Sequence, residues 1–373
     1  MGVGRCRPPQ RRPLPKPHRG LLPLAARGPR MTTAPVTTPP APPTEAGPGR
    51  LARASSFIAP LAGLVVVLIL AAITTPQFFS FEVSRLVLFQ VGLIGIAAIG
   101  QTLVLLVGGI DLSISGVMAL TSVVLATYSA GSDDKLVVGI VLSVLAGLAV
   151  GLVNAGLVVL RNVPPFVATF ASFVLIQGVI IAWTRGAPSG DIPPALSWLG
   201  GGRLFDFIPV PLIVFAILAL ATGLVLGRTT AGRRVYATGL NGDAARMSGI
   251  RTGIVIAACY LISSLTGVLA GLVNASFIGF VDAALVRNLD LDSVAAAVIG
   301  GIALTGGKGR IAQTVLGVVL LAVLLTWLIQ LGAGGGAQLV VSGAVILLAV
   351  FLQGRRFFFP SPTTRATSMK GKQ

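Results

Sequence analysis

Ten long apolar segments constrain this chain more than any other feature of its sequence. A helix needs about 20 apolar residues to cross the hydrocarbon core of a bilayer, and these segments hold between 15 and 25 residues with few charges. They are separated by turns rich in glycine, proline or charged residues. The segments lie at 56–74, 86–107, 113–130, 136–160, 166–184, 208–227, 252–273, 291–305, 311–331 and 338–353. The sequence therefore predicts an all-α integral membrane protein with about ten transmembrane helices.

The overall composition agrees with this prediction. The length of 373 residues would suggest about two soluble domains. However, only 10% of the residues are charged and 54% are hydrophobic, whereas soluble domains carry about 25% charged residues. A deficit of this size indicates a protein that crosses the membrane several times.

The net charge of +17 is concentrated in two tails. Ten of the 28 Lys and Arg residues lie before position 54, and five lie after position 353. The tails adjoin apolar segments and carry no interleaved aromatic residues, so we assign their charge to membrane orientation and anionic lipid rather than to nucleic acid. The predicted organisation is a disordered, basic, Pro-rich tail over 1–54, a transmembrane domain over 55–353 and a basic cytoplasmic tail over 354–373.

Loop charge predicts the orientation. If the N-terminus is inside, the inner loops hold twelve Lys and Arg residues and the outer loops hold five. Positively charged loops stay in the cytoplasm. We therefore expect a multi-pass protein of the plasma (inner) membrane with both termini cytoplasmic.

Two apolar segments contain carboxylates next to glycine breaks. Asp111 follows Gly108 and Gly109, and Asp290 and Asp292 precede Gly300 and Gly301. Acids and broken helices at membrane depth are tolerated where protein or water covers them. These segments therefore predict half-membrane helices, with acids that either contact a solute or cap and brace helices. The candidate residues for the translocation path or for bracing are Gln101, Thr102, Asp111, Ser113, Ser115, Asn154, Thr169, Asn274, Asp290 and Asp292.

No catalytic, metal or cofactor site is expected. The two cysteines, Cys6 and Cys259, lie in different environments, and the only histidine, His18, is in the tail. The stretch Gly-Gly-Lys-Gly-Arg at 306–310 lacks the first glycine and the Ser or Thr of a phosphate-binding loop. A transporter built this way would use an ion gradient or the ATPase of a partner.

The longest inner loop, 227–250, is long enough to fold by itself. Asn241 or Asp243 is placed to cap a short helix over 243–248, and Gly249 is placed to end it. A short helix under the membrane suits docking into a partner's groove, whereas the simpler interpretation is a solvated basic loop.

Four motifs, in order, resemble the permease subunit of ribose-type (simple-sugar) ABC importers. They are Gly-Gln-Thr-Leu-Val at 100–104 running into Gly-Ile-Asp-Leu-Ser at 109–113, Pro-Phe-Val-Ala-Thr at 165–169, the stretch from Gly232 to Ile250, and the stretch from Leu291 to Arg310. The resemblance covers approximately residues 55–353.

This resemblance implies a vitamin-B12-permease-like fold and a homodimer or heterodimer of permeases. It also implies cytoplasmic ABC ATPase subunits and an extracytoplasmic sugar-binding protein as partners, with a monosaccharide such as ribose or xylose as the solute. The 227–250 loop then becomes the ATPase coupling loop. Its implied contact residues are Gly239, Asn241, Ala244, Ala245, Arg246, Ser248 and Gly249.

Two alternatives stay open at this point. A branched-chain amino-acid or nucleoside ABC permease shares the arrangement of glycines and acids. An ion-coupled secondary transporter would also use broken helices and acids at the membrane midplane. The sequence does not name the solute.

Overall fold

The computed structural model describes residues 50–187, 190–281 and 289–358. Most of the two predicted tails, together with Cys6 and His18, lies outside these residues. The described part contains one short hairpin of strands β1 (Arg203–Leu204) and β2 (Ile208–Pro209). It also contains thirteen α-helices: α1 (Arg50–Thr74), α2 (Phe81–Leu106), α3 (Ser113–Ser129), α4 (Leu136–Leu160), α5 (Pro165–Thr184), α6 (Ser197–Gly201), α7 (Val210–Arg228), α8 (Thr230–Leu240), α9 (Gly242–Met247), α10 (Thr252–Ile278), α11 (Leu289–Gly300), α12 (Ile311–Gln330) and α13 (Gly335–Phe358).

Seven of the described helices are long and apolar enough to cross a membrane, namely α1, α2, α4, α5, α7, α10 and α12. Two further apolar helices are shorter over their described residues, α3 and the first part of α13. With α11, each of the ten predicted segments has a helical counterpart. The prediction of an all-α integral membrane protein is confirmed.

Helix α2 lies at the centre of the helical bundle, packed against α7, α10, α11 and α12. Its glycines explain the close packing. A methyl group built at Gly92 would lie 2.5 Å from the Pro211 carbonyl carbon, and one at Gly100 would lie 2.1 Å from the Thr266 hydroxyl oxygen. Because small residues let helix backbones approach each other, α2 is buried along most of its length.

The two predicted breaks are present, with corrected boundaries. The first separates α2 from α3, and the second separates α11 from α12. At 1.5 Å per residue the twelve residues of α11 span about 18 Å, roughly half of a bilayer core. The predicted segment 291–305 is shorter in the structure because Gly301 adopts a positive φ of 109° and ends the helix.

The 227–250 loop is more ordered than predicted. The sequence indicated one short helix, whereas the structure has two, α8 and α9. The Thr229 hydroxyl caps α8 by accepting a hydrogen bond from the Gly232 N–H at 3.3 Å. This cap turns the chain directly from α7 into α8 and leaves no long flexible link to the membrane.

The connection between α5 and α7 is also structured, which the sequence did not indicate. It contains α6 and the β1–β2 hairpin, in which Leu204 pairs with Ile208. The Asp133 carboxylate anchors this connection by accepting a hydrogen bond from the Ala195 N–H at 2.9 Å. These elements cover the side of the molecule opposite α9 in the predicted topology.

Candidate functional site

Asp111 is fully buried in the break between α2 and α3. One carboxylate oxygen accepts hydrogen bonds from the N–H and the hydroxyl of Ser113, at 2.9 and 2.6 Å. The other accepts a hydrogen bond from the Ser263 hydroxyl of α10 at 2.7 Å. A buried carboxylate is tolerated only when its oxygens are paired in this way. Asp111 therefore fixes the start of α3 and ties it to α10.

The hydrogen bonds continue from Ser113 to two more helices. The Asn154 side-chain N–H of α4 donates to the Ser113 hydroxyl oxygen at 2.9 Å. The Ser172 hydroxyl of α5 donates to the Asn154 side-chain oxygen at 2.6 Å. Thr169, one turn earlier on α5, donates to the Ile110 carbonyl oxygen at 3.2 Å. Four helices are thus connected through one chain of buried polar groups.

Gln101 adds the fifth helix, α2. In the side-chain amide orientation that satisfies both groups, the Gln101 amide nitrogen donates to the Asp111 carbonyl oxygen at 2.8 Å. The Gln101 amide oxygen accepts from the Asp111 backbone N–H at 3.3 Å. We call the set of Gln101, Asp111, Ser113, Asn154, Ser172 and Ser263 the Asp111 network. Its side chains are all buried and most of their hydrogen-bonding capacity is used internally. This arrangement favours the bracing interpretation over direct contact with a solute.

The other predicted polar residues join different pairs of helices. The Thr102 and Thr314 hydroxyls lie 2.8 Å apart and connect α2 with α12. The Ser342 hydroxyl of α13 donates to the Asp292 carboxylate of α11 at 2.9 Å. Asp290 lies in the first turn of α11, and Ser115 is buried in the first turn of α3. Asn274 is buried near the C-terminal end of α10.

Sequence reasoning missed the small hydroxyl partners of these residues. Ser172, Ser263, Thr314 and Ser342 each form a helix-to-helix hydrogen bond with a predicted residue. In the sequence, each of these partners is only a single Ser or Thr inside an apolar segment. Such a residue does not by itself predict a contact between helices, because its hydroxyl can instead donate a hydrogen bond to a carbonyl oxygen of its own helix. The Thr121 hydroxyl, which donates to the Val117 carbonyl oxygen at 2.8 Å, is an example.

Two glycine turns, one in each break, meet a glycine of α8 at the point where α8 packs against both breaks. We call Gly108, Gly239, Gly306 and Gly307 the glycine joint. The Gly307 N–H donates to the Leu106 carbonyl oxygen at 2.8 Å, which links the two breaks directly. A methyl group at Gly239 of α8 would lie 1.8 Å from that same oxygen. Only glycine allows backbone atoms from the three elements to come this close.

Tyr236 strengthens the joint from α8. Its hydroxyl donates to the Gly309 carbonyl oxygen at 2.9 Å. Partial burial raises the pKa of Tyr236, while the charge of Arg310 opposes that effect. The hydroxyl therefore stays protonated at neutral pH and remains a donor. The structure thus places Gly239, an implied ATPase contact, inside the joint between α8 and the membrane helices.

Helix α9 forms the exposed tip of the loop. Of the two caps that the sequence offered, the structure uses Asn241, whose side-chain oxygen accepts hydrogen bonds from the Asp243 and Ala244 N–H groups at 3.1 and 3.0 Å. The predicted end is also confirmed, because Gly249 has a positive φ of 81°. Ala245 is buried beneath the helix.

The outer surface of α9 carries Ala244, Arg246, Met247 and Ser248, all exposed. Arg246 forms an ion pair with Asp243 on the same helix. Met247 was not among the predicted contact residues, yet its side chain is 85% exposed. Met247 is therefore the most exposed apolar side chain of α9.

Among the described residues, no three His, Cys, Asp or Glu side chains are grouped in a way that could hold a metal ion. The carboxylates of Asp111 and Asp292 are instead bonded to serine hydroxyls.

Comparisons with known proteins agree on one family. Residues 85–350 match the family model described as "Branched-chain amino acid transport system / permease component". The chain is 33% identical to the ribose import permease protein of Escherichia coli strain K12, over 79% of this chain and 93% of that protein. It is 34% identical to the ribose import permease protein of Bacillus subtilis strain 168, over 80% and 93%. It is 32% identical to the galactofuranose transporter permease protein of Escherichia coli K12, over 83% and 93%. No solved structure matches the chain significantly.

Proposed function

The chain belongs to the family of permease components of ABC importers, on its ribose-type branch, and from this premise we propose that it forms the membrane channel for a monosaccharide. The observation that carries the proposal is the identity of about one third with sugar permeases along nearly their whole length. An external binding protein would deliver the sugar, and a separate cytoplasmic ATPase would supply the energy.

The polar chemistry of the described helices supports a neutral solute. Asp111 and Asp292 are bonded to hydroxyls of the protein, so their charges are used in holding helices together. A neutral, hydroxyl-rich molecule needs only weak, dispersed contacts along the route. We assign the buried residues of the Asp111 network to bracing, and we propose that a second copy of the chain completes the route.

We further propose that ATPase movements enter through α9 and reach the membrane helices through α8. Asn241 and Ser248 hold α9 in shape at its two ends, and Met247, Ala244 and Arg246 form its outer face. Helix α8 lies directly before α9 in the chain, separated from it only by Asn241, and contacts both breaks at the glycine joint. Because these contacts are between backbone atoms, a shift of α8 cannot be absorbed by side-chain rotation.

The second break connects this movement to α11 and α12. A methyl group at Gly300 of α11 would lie 2.1 Å from the Gln313 carbonyl oxygen of α12, and one at Gly317 of α12 would lie 1.9 Å from the Ala296 carbonyl oxygen. The two helices are therefore in close backbone contact directly beyond the joint. Under this proposal, ATP binding and hydrolysis shift α11 and α12 relative to α2 and open the route.

Transport in proteoliposomes tests the proposed function. The chain, its ATPase and its binding protein are reconstituted, and uptake of labelled ribose, xylose and leucine is measured with ATP inside. We expect sugar uptake that requires ATP and stops when the binding protein is omitted. Uptake of leucine alone would assign the chain to amino-acid import. Uptake by the permease alone in a sodium or proton gradient would make it a secondary transporter.

A further inference from the structure

An apolar groove opens on the membrane-facing side of the bundle between α7, α8 and α10. Its volume is about 330 Å³, and Leu103 of α2 forms part of its floor. Aliphatic side chains make up most of its walls, including Leu226 of α7 and Ile254 and Ile262 of α10. Ile254 and Ile262 are 61% and 42% exposed, so the groove is open along its side.

The depth of the groove corresponds to one leaflet of a bilayer. Helix α10 begins at Thr252, and the groove follows it from Ile254 to Ile262. Eight residues of helix span about 12 Å. Half of a hydrocarbon core of about 30 Å is about 15 Å. The groove therefore extends from the membrane surface to near the midplane.

The mouth of the groove is positively charged. Among the described residues, Arg234 is the only charged one in the lining of the groove, and Arg228 and Arg233 lie on the same corner between α7 and α8. All three side chains are exposed, and none of them takes part in an ion pair of the described residues. A methyl group at Gly232 would lie 2.3 Å from the Leu226 carbonyl oxygen, so the backbone at this corner is tightly packed.

We propose that this groove binds an anionic phospholipid. One acyl chain lies along the aliphatic walls, and the phosphate of the headgroup pairs with Arg234 at the mouth. Basic pockets between membrane helices at the membrane surface have the chemistry that anionic headgroups require. The bound lipid fills the space between α7, α8 and α10 and so supports α8 where it leaves the membrane. Lipid binding of this kind is a property of the permease chain itself and does not depend on the proposed transport function.

The test measures binding of phosphatidylglycerol and phosphatidylcholine to the full-length chain purified in detergent, by native mass spectrometry and by thermal unfolding. We expect phosphatidylglycerol to bind and to raise the melting temperature, with a much smaller effect from phosphatidylcholine. Arg234→Gln should weaken phosphatidylglycerol binding about fivefold, the usual contribution of one basic side chain beside an anionic surface. Ala258→Phe, at an exposed alanine in the groove, should displace the acyl chain and abolish binding.

Two matched variants serve as controls. Arg161→Gln removes an exposed arginine at the end of α4, and Ala149→Phe enlarges an exposed alanine on α4, both outside the groove. Neither should change phosphatidylglycerol binding. Equal binding of the two lipids, or binding unchanged by Arg234→Gln and Ala258→Phe, would overturn the proposal. If Ala258→Phe retains lipid binding but no longer forms a permease dimer, the groove is an interface between two copies of the chain and the proposal is wrong.

Discussion

At the scale of single residues, Asp111 shows how a carboxylate can be accommodated in an apolar bundle. Its two oxygens accept three hydrogen bonds, from Ser113 and Ser263, and its backbone is held by Gln101. The same residue appears in the sequence as an isolated acid beside two glycines. Its role in bracing follows from partners that lie far along the chain.

Substitution of Asp111 should therefore affect stability according to hydrogen-bonding capacity rather than charge. Asp111→Asn keeps an oxygen for Ser113 and should fold with near-normal yield. Asp111→Leu leaves three buried donors without an acceptor and should destabilise the protein by about 2 kcal/mol or more. Thermal unfolding in detergent gives the comparison, with Ser263→Ala as a variant that removes a single donor. Equal stability of the Leu and Asn variants would contradict the bracing role.

Gly239 is a second residue whose side-chain size matters. Gly239→Ala should push α8 away from the Leu106 carbonyl oxygen, because the added methyl group would lie 1.8 Å from it. We expect normal membrane insertion and ATPase binding, but a fall of about tenfold in sugar transported per ATP hydrolysed.

Gly242→Ala is the matched control for this prediction, since a methyl group at Gly242 meets no atom within 4 Å. It should transport normally. If Gly239→Ala also transports at the wild-type ratio of sugar to ATP, the glycine joint does not transmit movement.

At the scale of elements, α9 combines a fixed shape with an exposed apolar tip. Asn241 caps its start, Gly249 ends it, and Ala245 packs inward. A bulky residue at Ala245 would therefore distort the helix itself. Met247 is the better position at which to test docking, because it is exposed and makes little contact with its own chain.

Met247→Asp should leave the stability of the permease within about 0.5 kcal/mol, as expected for an exposed side chain. It should weaken binding of the ATPase by about tenfold or more, because a charge would replace an apolar contact in the partner's groove. Co-purification of the complex and titration of the ATPase measure this.

Phe205→Asp provides the control for Met247→Asp. Phe205 is 89% exposed in the hairpin on the opposite side of the predicted topology. Its substitution should leave ATPase binding unchanged. Equal effects of the two substitutions would argue against α9 as the docking element.

At the scale of the whole molecule, the helices are arranged around α2, and the two breaks meet on the side that carries α8 and α9. The loops on that side are rich in arginine, which predicts that it faces the cytoplasm. The α6 and β1–β2 connection would then lie outside, where a binding protein would dock.

Cysteine accessibility checks this orientation. In a variant without Cys6 and Cys259, a cysteine at Asp134 should react with a membrane-impermeant maleimide in intact cells. A cysteine at Ser248 should react only after the membrane is opened. Both positions are exposed in the structure, so burial does not affect the comparison. Labelling of Ser248→Cys in intact cells would invert the topology.

The sequence by itself determined the membrane class, the ten apolar segments, the two glycine breaks, a short capped helix beginning at Asn241 or Asp243, and the end of that helix at Gly249. These features depend on local composition and on residues a few positions apart, because apolar length, glycine conformation and capping act over one or two turns. The motifs also identified the family. The tertiary structure alone decided which polar residues pair, where Gly239 lies and how α8 meets both breaks. Ser263 is 152 positions from Asp111, and Leu106 is about 200 positions from Gly307. Contacts at such separations depend on how the helices pack in three dimensions, and the local pattern of the sequence carries no record of that packing.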